Sequence, residues 1–257
     1  DYWALNDAGH AISMYKEALP ILEDLNDMEE QARVFWGMAM AYRMSKDTAL
    51  AKLYASRALN IYELADNRSE AASTCLNLAE IFMEEQRYEE SEQLLERAGR
   101  FLTSTGNQAL LSYLYRDYAD LARRQGTQDK ALEYANESVS YARAGYEAAR
   151  SATDSAAAVG QGGGQGVDTP WQDPVRTYVE ALQVQALIEE ERGNREAADQ
   201  LFHEALSLLE PAGFEETRYT TNLSYAGVLK ARGEFERAME HFQAAAESRS
   251  HSIRRGF

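Results

Sequence analysis

The sequence predicts an all-α fold, a right-handed α-solenoid of helix-turn-helix repeats, and three observations support this. Small residues recur every 40 residues, with one longer gap of 67, at Ala11, Ala51, Ser91, Ala131, Ala198 and Ala238. Alanine also recurs twelve residues before the last five of these, at Ala39, Ala79, Ala119, Ala186 and Ala226. Only 4 prolines and 16 glycines interrupt the 257 residues, so long helices are permitted almost throughout. An internal period of this length is typical of a stacked-repeat architecture.

Each repeat consists of two amphipathic helices separated by a short polar break. In the second repeat Ala72, Cys75 and Ala79 follow helical spacing, and Tyr88 and Leu95 mark the following helix. The breaks of the five repeats lie at residues 45–47, 85–87, 125–127, 192–194 and 232–234. Three of the five middle residues are glycine, which favours a backbone that leaves the helix with positive φ.

The repeats predict a single array with one interruption. The segments are a partial repeat at 1–28, repeats at 29–68, 69–108, 109–144, 175–215 and 216–250, and a flexible Gly/Ala-rich insert at 145–174. The Ala-rich start of the insert is compatible with an extension of the preceding helix, and a lid over a groove is an alternative to a tolerated loop. Because the chain begins with Asp, inside the first helix of a repeat, we expect it to be a fragment of a longer protein; a short natural cap at Tyr2–Asn6 is the alternative.

Composition excludes several classes of function. The formal net charge is −16, which disfavours direct binding of nucleic acid or of an anionic membrane by this segment. The sequence lacks an apolar run long enough to cross a membrane, and a single cysteine, Cys75, is compatible with the reducing cytoplasm. The four histidines are scattered and the sequence contains no Ser/His/Asp constellation, so we expect neither an enzyme nor a metal or other cofactor.

The pattern of small and bulky residues resembles that of tetratricopeptide (TPR) repeats. The fifth repeat matches at Ala226, Leu229, Gly233, Phe235, Ala238, Phe242 and Ala245. The fourth repeat matches at Ala186, Gly193, Ala198, Phe202, Ala205 and, one place late, Pro211. The second repeat has Ser91, and the third has Ser138, where the family usually has alanine. The resemblance covers nearly the whole chain outside the insert and implies a helical-hairpin fold.

The 40-residue period exceeds the usual length of the family's repeat, and it resembles arrays in bacterial transcriptional regulators that follow a helix-turn-helix or ATPase module. This resemblance implies a module that binds a protein or peptide and acts as the sensor segment of such a regulator. A constitutive scaffold or adaptor is one alternative. Self-assembly, including a homodimer formed through the N-terminal end, is another.

Arrays of this family bind ligands through the concave surface, which the first helix of each repeat lines. The residues predicted to line it are Trp36, Met40, Arg43, Asn77, Glu80, Arg116, Asp120, Arg123, Arg124, Gln183, Leu187 and Lys230. Trp and Met are adaptable contact residues in binding surfaces. Arg116, Arg123 and Arg124 concentrate positive charge in an acidic chain, which suits a carboxylate or an acidic peptide. The alternative is that acidic residues neutralise these arginines, namely Asp117, Asp120 and the neighbouring repeats' Glu80 and Glu190.

Overall fold

The computed structural model describes residues 8–159, 173–210 and 214–255, and every regular element within these ranges is an α-helix. In chain order the helices are α1 (Ala8–Asp24), α2 (Met28–Met44), α3 (Thr48–Leu64), α4 (Arg68–Glu84), α5 (Tyr88–Leu102), α6 (Gln108–Arg124), α7 (Gln128–Val159), α8 (Pro174–Glu191), α9 (Arg195–Leu208), α10 (Glu215–Ala231) and α11 (Phe235–Arg255). The predicted all-α fold class is confirmed.

The helix lengths explain the period of the sequence. Each of α2, α3 and α4 has 17 residues, and three residues separate each of these helices from the next. One helix with its turn therefore spans 20 residues, and a hairpin spans 40. The first helices α2, α4 and α6 accordingly begin at Met28, Arg68 and Gln108.

Most of the described turns share one backbone geometry. The residues with positive φ in these turns are Asn26, Lys46, Asp66, Gln86, Gly106, Gly126, Gly193 and Gly233, and all but the longer turn at Gly106 have the bonding pattern given next. In the turn after α2, the Lys46 amide donates to the Arg43 carbonyl at 3.0 Å and the Asp47 amide donates to the Tyr42 carbonyl at 2.9 Å. These bonds close the C-terminal end of a helix in the Schellman manner. The positive φ predicted for the middle residues of the breaks is confirmed.

The recurring small residues are buried, as the predicted register requires. Ala39, Ala79, Ala119, Ala186 and Ala226 are each 0% exposed. The second set is also buried on the described helices, at Ala11, Ala51, Ser91, Ala131, Ala198 and Ala238. Short side chains at these positions let the paired helices approach closely, so the bulky neighbours can fill the remaining space.

The helices divide into two units, Asp1–Leu110 and Leu111–Phe257. In the first unit α1 packs on α2, α2 on α3, α3 on α4, and α4 on α5. One of its core clusters contains Val34, Met38, Tyr42, Ala51 and Ile81. The Tyr15 ring of α1 lies directly over Gly37 of α2, where a Cβ atom would stand 2.5 Å from the ring. Gly37 therefore provides the close approach of these two helices.

In the second unit α7 packs on α8, α8 on α9 and α10 on α11, and α10 also contacts α8 and α9. One core cluster of this unit contains Ala186, Phe202, Tyr225, Val228, Leu229 and Ala238. The Phe202 and Tyr225 rings stack with centroids 4.6 Å apart. A second cluster, with Ala119, Ala122, Ala131, Ala135 and Ile188, joins α6 and α7 to α8.

The Ala-rich start of the insert is helical. The sequence interpretation began the insert at Gly145 and left open that its start extends the preceding helix, and α7 continues as a helix to Val159. This segment is rich in alanine, which has the highest helix propensity, so the helix of the third repeat continues through it. At the other end Asp173 caps α8 by accepting hydrogen bonds from the Val175 and Arg176 amides, and Pro174 occupies the first turn. The Gly-rich stretch between these helices, and Tyr2–Asn6, lie outside the described residues.

Candidate functional site

In the first unit the predicted residues lie on what we call the α2–α4 face (Trp36, Met40, Arg43, Asn77 and Glu80). Trp36 and Met40 are partly exposed. Arg43 of α2 forms ion pairs with Glu80 and, at 3.3 Å, with Glu84, both on α4. Asn77 donates from Nδ2 to the Ser73 carbonyl of its own helix at 3.0 Å. The Arg43–Glu80 ion pair thus joins the two first helices of this face.

In the second unit the predicted residues lie on what we call the α6–α8–α10 face (Arg116, Asp120, Arg123, Arg124, Gln183, Leu187 and Lys230). Arg116 of α6 donates from Nε to Asp117 at 3.0 Å and from Nη1 to Glu180 of α8 at 3.2 Å. Glu180 also accepts a hydrogen bond from Arg176 at 2.9 Å. The Arg116 guanidinium lies over the Tyr113 ring, 4.7 Å from its centroid. Two helices therefore hold this arginine in one orientation.

The other two arginines share one carboxylate. Asp120 accepts hydrogen bonds from Arg123 at 2.6 Å and from Arg124 at 2.8 Å. Arg123 reaches across to Glu191 of α8 at 2.8 Å. Burial would raise the pKa of Asp120, but the hydrogen bonds from the two guanidinium groups outweigh burial and hold this pKa below its ordinary value. Asp120 is therefore ionised at neutral pH.

A further set of contacts joins α8 to α10. Gln183 donates from Nε2 to the Thr221 hydroxyl at 2.9 Å. Leu187 is partly buried and packs against the core cluster that contains Phe202 and Tyr225. Lys230 is exposed in the last turn of α10. Of these three residues, Gln183 is the one whose side chain forms a hydrogen bond between the first helices α8 and α10.

The arginines of the α6–α8–α10 face do not form an isolated cationic patch. Each of Arg116, Arg123 and Arg124 contacts a carboxylate within the unit. The sequence interpretation held neutralisation by Asp117, Asp120, Glu80 and Glu190 as its alternative, and Asp117 and Asp120 are partners of these arginines. The other two carboxylates were assigned wrongly, because Glu80 pairs with Arg43 and Glu190 pairs with Arg232. Sequence spacing placed the arginines on one helix face but left open whether acidic residues would meet them there.

Sequence reasoning missed an ion-pair cluster that surrounds a buried arginine. It treated Arg232 as a turn residue, yet its side chain is only 3% exposed. Its Nε donates to both oxygens of Glu190 at 3.0 Å, and its Nη1 donates to Asp199 at 2.7 Å. Arg237 adds a hydrogen bond to Asp199 at 3.2 Å. Burial would raise the pKa of Asp199, but the hydrogen bonds that it accepts outweigh burial and lower this pKa.

The single thiol is a core residue. Cys75 of α4 is 0% exposed, and burial raises its pKa to about 12. This agrees with the helical spacing that Cys75 shares with Ala72 and Ala79, which are also buried. In the described part of the chain, groups of three or more His, Cys, Asp or Glu residues placed to hold a metal ion are absent. Within the same ranges, every helix is too short or too polar to cross a membrane.

We expect Cys75 of the folded protein to react with Ellman's reagent about a thousandfold more slowly than an exposed thiol. The reason is that a pKa near 12 leaves almost none of the reactive thiolate at neutral pH, and burial also blocks access. The absorbance change should appear at its full amplitude once urea unfolds the chain. Rapid labelling without urea would show that α4 opens readily.

The fold and these two faces define a TPR-like helical repeat protein. Within this class, the family described as soluble NSF attachment protein, SNAP, has a model that matches residues 2–149. This match covers more than half of the chain, so the chain belongs to this family.

The comparisons also include bacterial regulators. Regulatory protein RapD of Bacillus subtilis (strain 168) is 28% identical over 153 residues, which are 55% of this chain and 43% of RapD. The chain thus spans less than half the length of this relative. The structure of a Rap protein complexed with competence and sporulation factor has a TM-score of 0.64, at 15% identity, covering 98% of this chain and 71% of the Rap chain. NprR in complex with its cognate peptide NprX has a TM-score of 0.60, also at 15% identity, covering 94% of this chain and 60% of NprR. These two structures share the fold.

Proposed function

We propose that this chain is a peptide-binding regulatory module and that the α6–α8–α10 face contacts the peptide. The observation that carries the proposal is the polar ladder on this face, which consists of the contacts Arg116–Glu180, Gln183–Thr221 and Arg123–Glu191. The ladder links three successive first helices, and its side chains are partly exposed except for Thr221, which is buried. RapD, a regulatory protein by name, and NprR, which binds a cognate peptide, support the same assignment.

The chemistry of the ladder suits an extended peptide backbone. A guanidinium has five N–H donors and a carboxylate has about four acceptor positions, so one such side chain can bind more than one partner at a time, as Glu180 does with Arg116 and Arg176. The charged side chains of Arg116, Arg123, Glu180 and Glu191 are between 21% and 38% exposed. A peptide that lies on this face can therefore reach polar groups of the ladder. Because the arginines already have carboxylate partners, the face does not require an acidic ligand.

A finer proposal concerns the whole protein. We propose that the chain is the sensor segment of a bacterial transcriptional regulator whose effector part lies outside these 257 residues. Its 40-residue repeats and its coverage of only 43% of RapD support this assignment. If the regulator has two conformational states, a bound peptide shifts the equilibrium between them by no more than the difference in its binding free energy for the two states.

The test is to screen the chain against short peptides of acidic, neutral and basic composition and to measure the hits by isothermal titration calorimetry. We expect Gln183→Leu to weaken binding about tenfold, since it removes the bridging amide of the ladder at nearly constant volume. Gln200→Leu is the matched control, because Gln200 is an exposed residue of α9, a second helix. Equal affinities of the two variants, or a screen without hits, would refute the proposal.

The same titrations decide the part played by charge. Arg116→Gln combined with Arg123→Gln should weaken the binding of acidic and of neutral peptides by similar factors if the peptide is bound through its backbone. A loss of affinity confined to acidic peptides would instead support the carboxylate-binding role that the sequence predicted for these arginines.

A further inference from the structure

The α6–α7 hairpin carries a partly exposed aromatic surface, which we call the tyrosine surface (Tyr115, Tyr118, Tyr134 and Tyr141). The Tyr115 ring of α6 stacks on the Tyr141 ring of α7 with centroids 5.3 Å apart. The Tyr118 and Tyr134 rings stack at 5.2 Å, and 6.3 Å separates the Tyr115 and Tyr134 centroids. The faces of aromatic rings carry partial negative charge, so a surface of this kind attracts cations.

The tyrosine surface is separate from the α6–α8–α10 face. At 3.6 residues per turn, Tyr115 lies about 100° and Tyr118 about 160° around α6 from Arg116. The other two tyrosines belong to α7, a second helix, which does not contribute to that face. A ligand of the tyrosine surface is therefore distinct from the peptide proposed above.

The equivalent surface of the first repeat contains a cation. Phe35 of α2 lies 80 residues before Tyr115, which is two periods of 40. Tyr54 of α3 lies 80 residues before Tyr134. The Phe35 and Tyr54 centroids are 6.0 Å apart, and the Arg57 guanidinium lies 5.6 Å from each of them. This pair of ring positions thus accommodates a guanidinium in the same fold.

The third repeat has an acid where the first repeat has that cation. Glu137 lies 80 residues after Arg57, and its side chain is exposed. It follows Tyr134 by three residues and precedes Tyr141 by four, so the three share one face of α7. Burial, Tyr141 and the Glu137 charge together raise the pKa of Tyr115 above its ordinary value, so the Glu137 charge acts on this ring. Glu137 has no ion-pair partner among the residues that the structure describes.

We propose that the tyrosine surface binds the guanidinium of an arginine side chain from a partner polypeptide. The rings attract the cation as Phe35 and Tyr54 attract Arg57, and the Glu137 carboxylate can accept two of its hydrogen bonds. Arginine suits this surface better than lysine, because its planar guanidinium stacks on aromatic faces. The net charge of −16 also attracts a basic partner to the chain.

The first test is fluorescence anisotropy with a fluorescein-labelled nonapeptide that contains three arginines spaced by glycine. Matched peptides have citrulline or lysine in place of arginine, and citrulline keeps the shape of arginine without its charge. We expect the citrulline peptide to bind about tenfold more weakly and the lysine peptide about threefold more weakly. Equal affinities for the arginine and citrulline peptides, or an absence of binding, would overturn the proposal.

The second test fills the site from within. Glu137→Arg supplies an internal cation at the position that Arg57 occupies in the first repeat, so it should weaken binding of the arginine peptide about tenfold or more. Because Glu137 is exposed, the helical circular dichroism should not change. Glu240→Arg makes the same change of charge at an exposed position of α11 and is the matched control. If both variants weaken binding equally, the peptide responds only to net charge and the proposal is wrong.

The third test addresses the rings. Tyr134→Leu should weaken binding of the arginine peptide, whereas Tyr134→Phe should retain it because the phenyl ring keeps its face. Leucine and phenylalanine variants that bind alike would exclude the rings as the contact. Gln183→Leu, which removes an amide from the α6–α8–α10 face, should leave this affinity unchanged. A loss in Gln183→Leu without a loss in Glu137→Arg would assign the arginine peptide to that other face and overturn the proposal.

Discussion

Replacing Arg232 with alanine should lower the free energy of unfolding of the second unit by about 3 kcal/mol, because the substitution leaves partly buried carboxylates without their cation. Arg232 is 3% exposed, whereas its partners Glu190 and Asp199 are 21% and 23% exposed. Water can reach the abandoned carboxylates in part, so the expected loss lies at the lower end of the range for a broken buried pair. Urea denaturation followed by circular dichroism measures this loss.

The matched control is Arg192→Ala. Arg192 precedes Arg232 by 40 residues and occupies the same place in its turn, but its side chain is 27% exposed and its partner Asp129 is 96% exposed. Exposed pairs of this kind contribute about 0–1 kcal/mol. If the two variants lose equal stability, the proposed contribution of the Arg232 cluster is wrong.

The pH dependence gives a second check on Arg232. The pKa of Asp199 is lowered in the folded protein, so its contribution to stability is present above the ordinary aspartate pKa and is lost as the pH falls below that value. Protonated carboxyl groups no longer need a guanidinium partner. The difference in stability between Arg232→Ala and the wild type should therefore narrow below about pH 4.

The repeat architecture could be predicted because its physical causes are local. A 17-residue helix, a turn residue with positive φ and a small residue at the helix crossing each leave a direct mark on the sequence. Four of the turn residues with positive φ are not glycine, as at Lys46 and Gln86, so glycine alone would have marked only half of these turns. The regular spacing of the buried alanines predicts where the other turns lie.

The partners of the charged side chains could not be predicted because they depend on distant residues. Arg116 meets Glu180, which is 64 residues away in the sequence and beyond the insert. Arg192 and Arg232 look equivalent in the sequence, since each precedes a glycine in a turn. They differ because Glu190 and Asp199 of the preceding hairpin surround Arg232, whereas Arg192 reaches Asp129 at the surface. A repeat period predicts where a residue lies within its repeat, but it does not predict which side chains of other helices surround that residue.

Ala226→Phe tests the register on which both faces depend. Ala226 is 0% exposed on α10, next to Tyr225 of the core cluster that contains Ala186 and Phe202. A phenyl ring at this buried position must displace packed side chains or separate α10 from a helix that it packs on, which should cost about 1–3 kcal/mol or more. Because each repeat is stabilised mainly by its neighbours, we also expect a broader denaturation transition.

Ala231→Phe is the control for this substitution, because it adds the same side chain to the same helix at an exposed position. It should change the midpoint of the transition little. Hydrogen exchange should locate the effect of Ala226→Phe in α8, α10 and α11, whose amides would lose protection first. The first unit should keep its protection, since its own core cluster lies on α1–α4. If both phenylalanine variants melt like the wild type, Ala226 is not a buried position of α10, and the register that places residues on the α6–α8–α10 face would have to be reassigned.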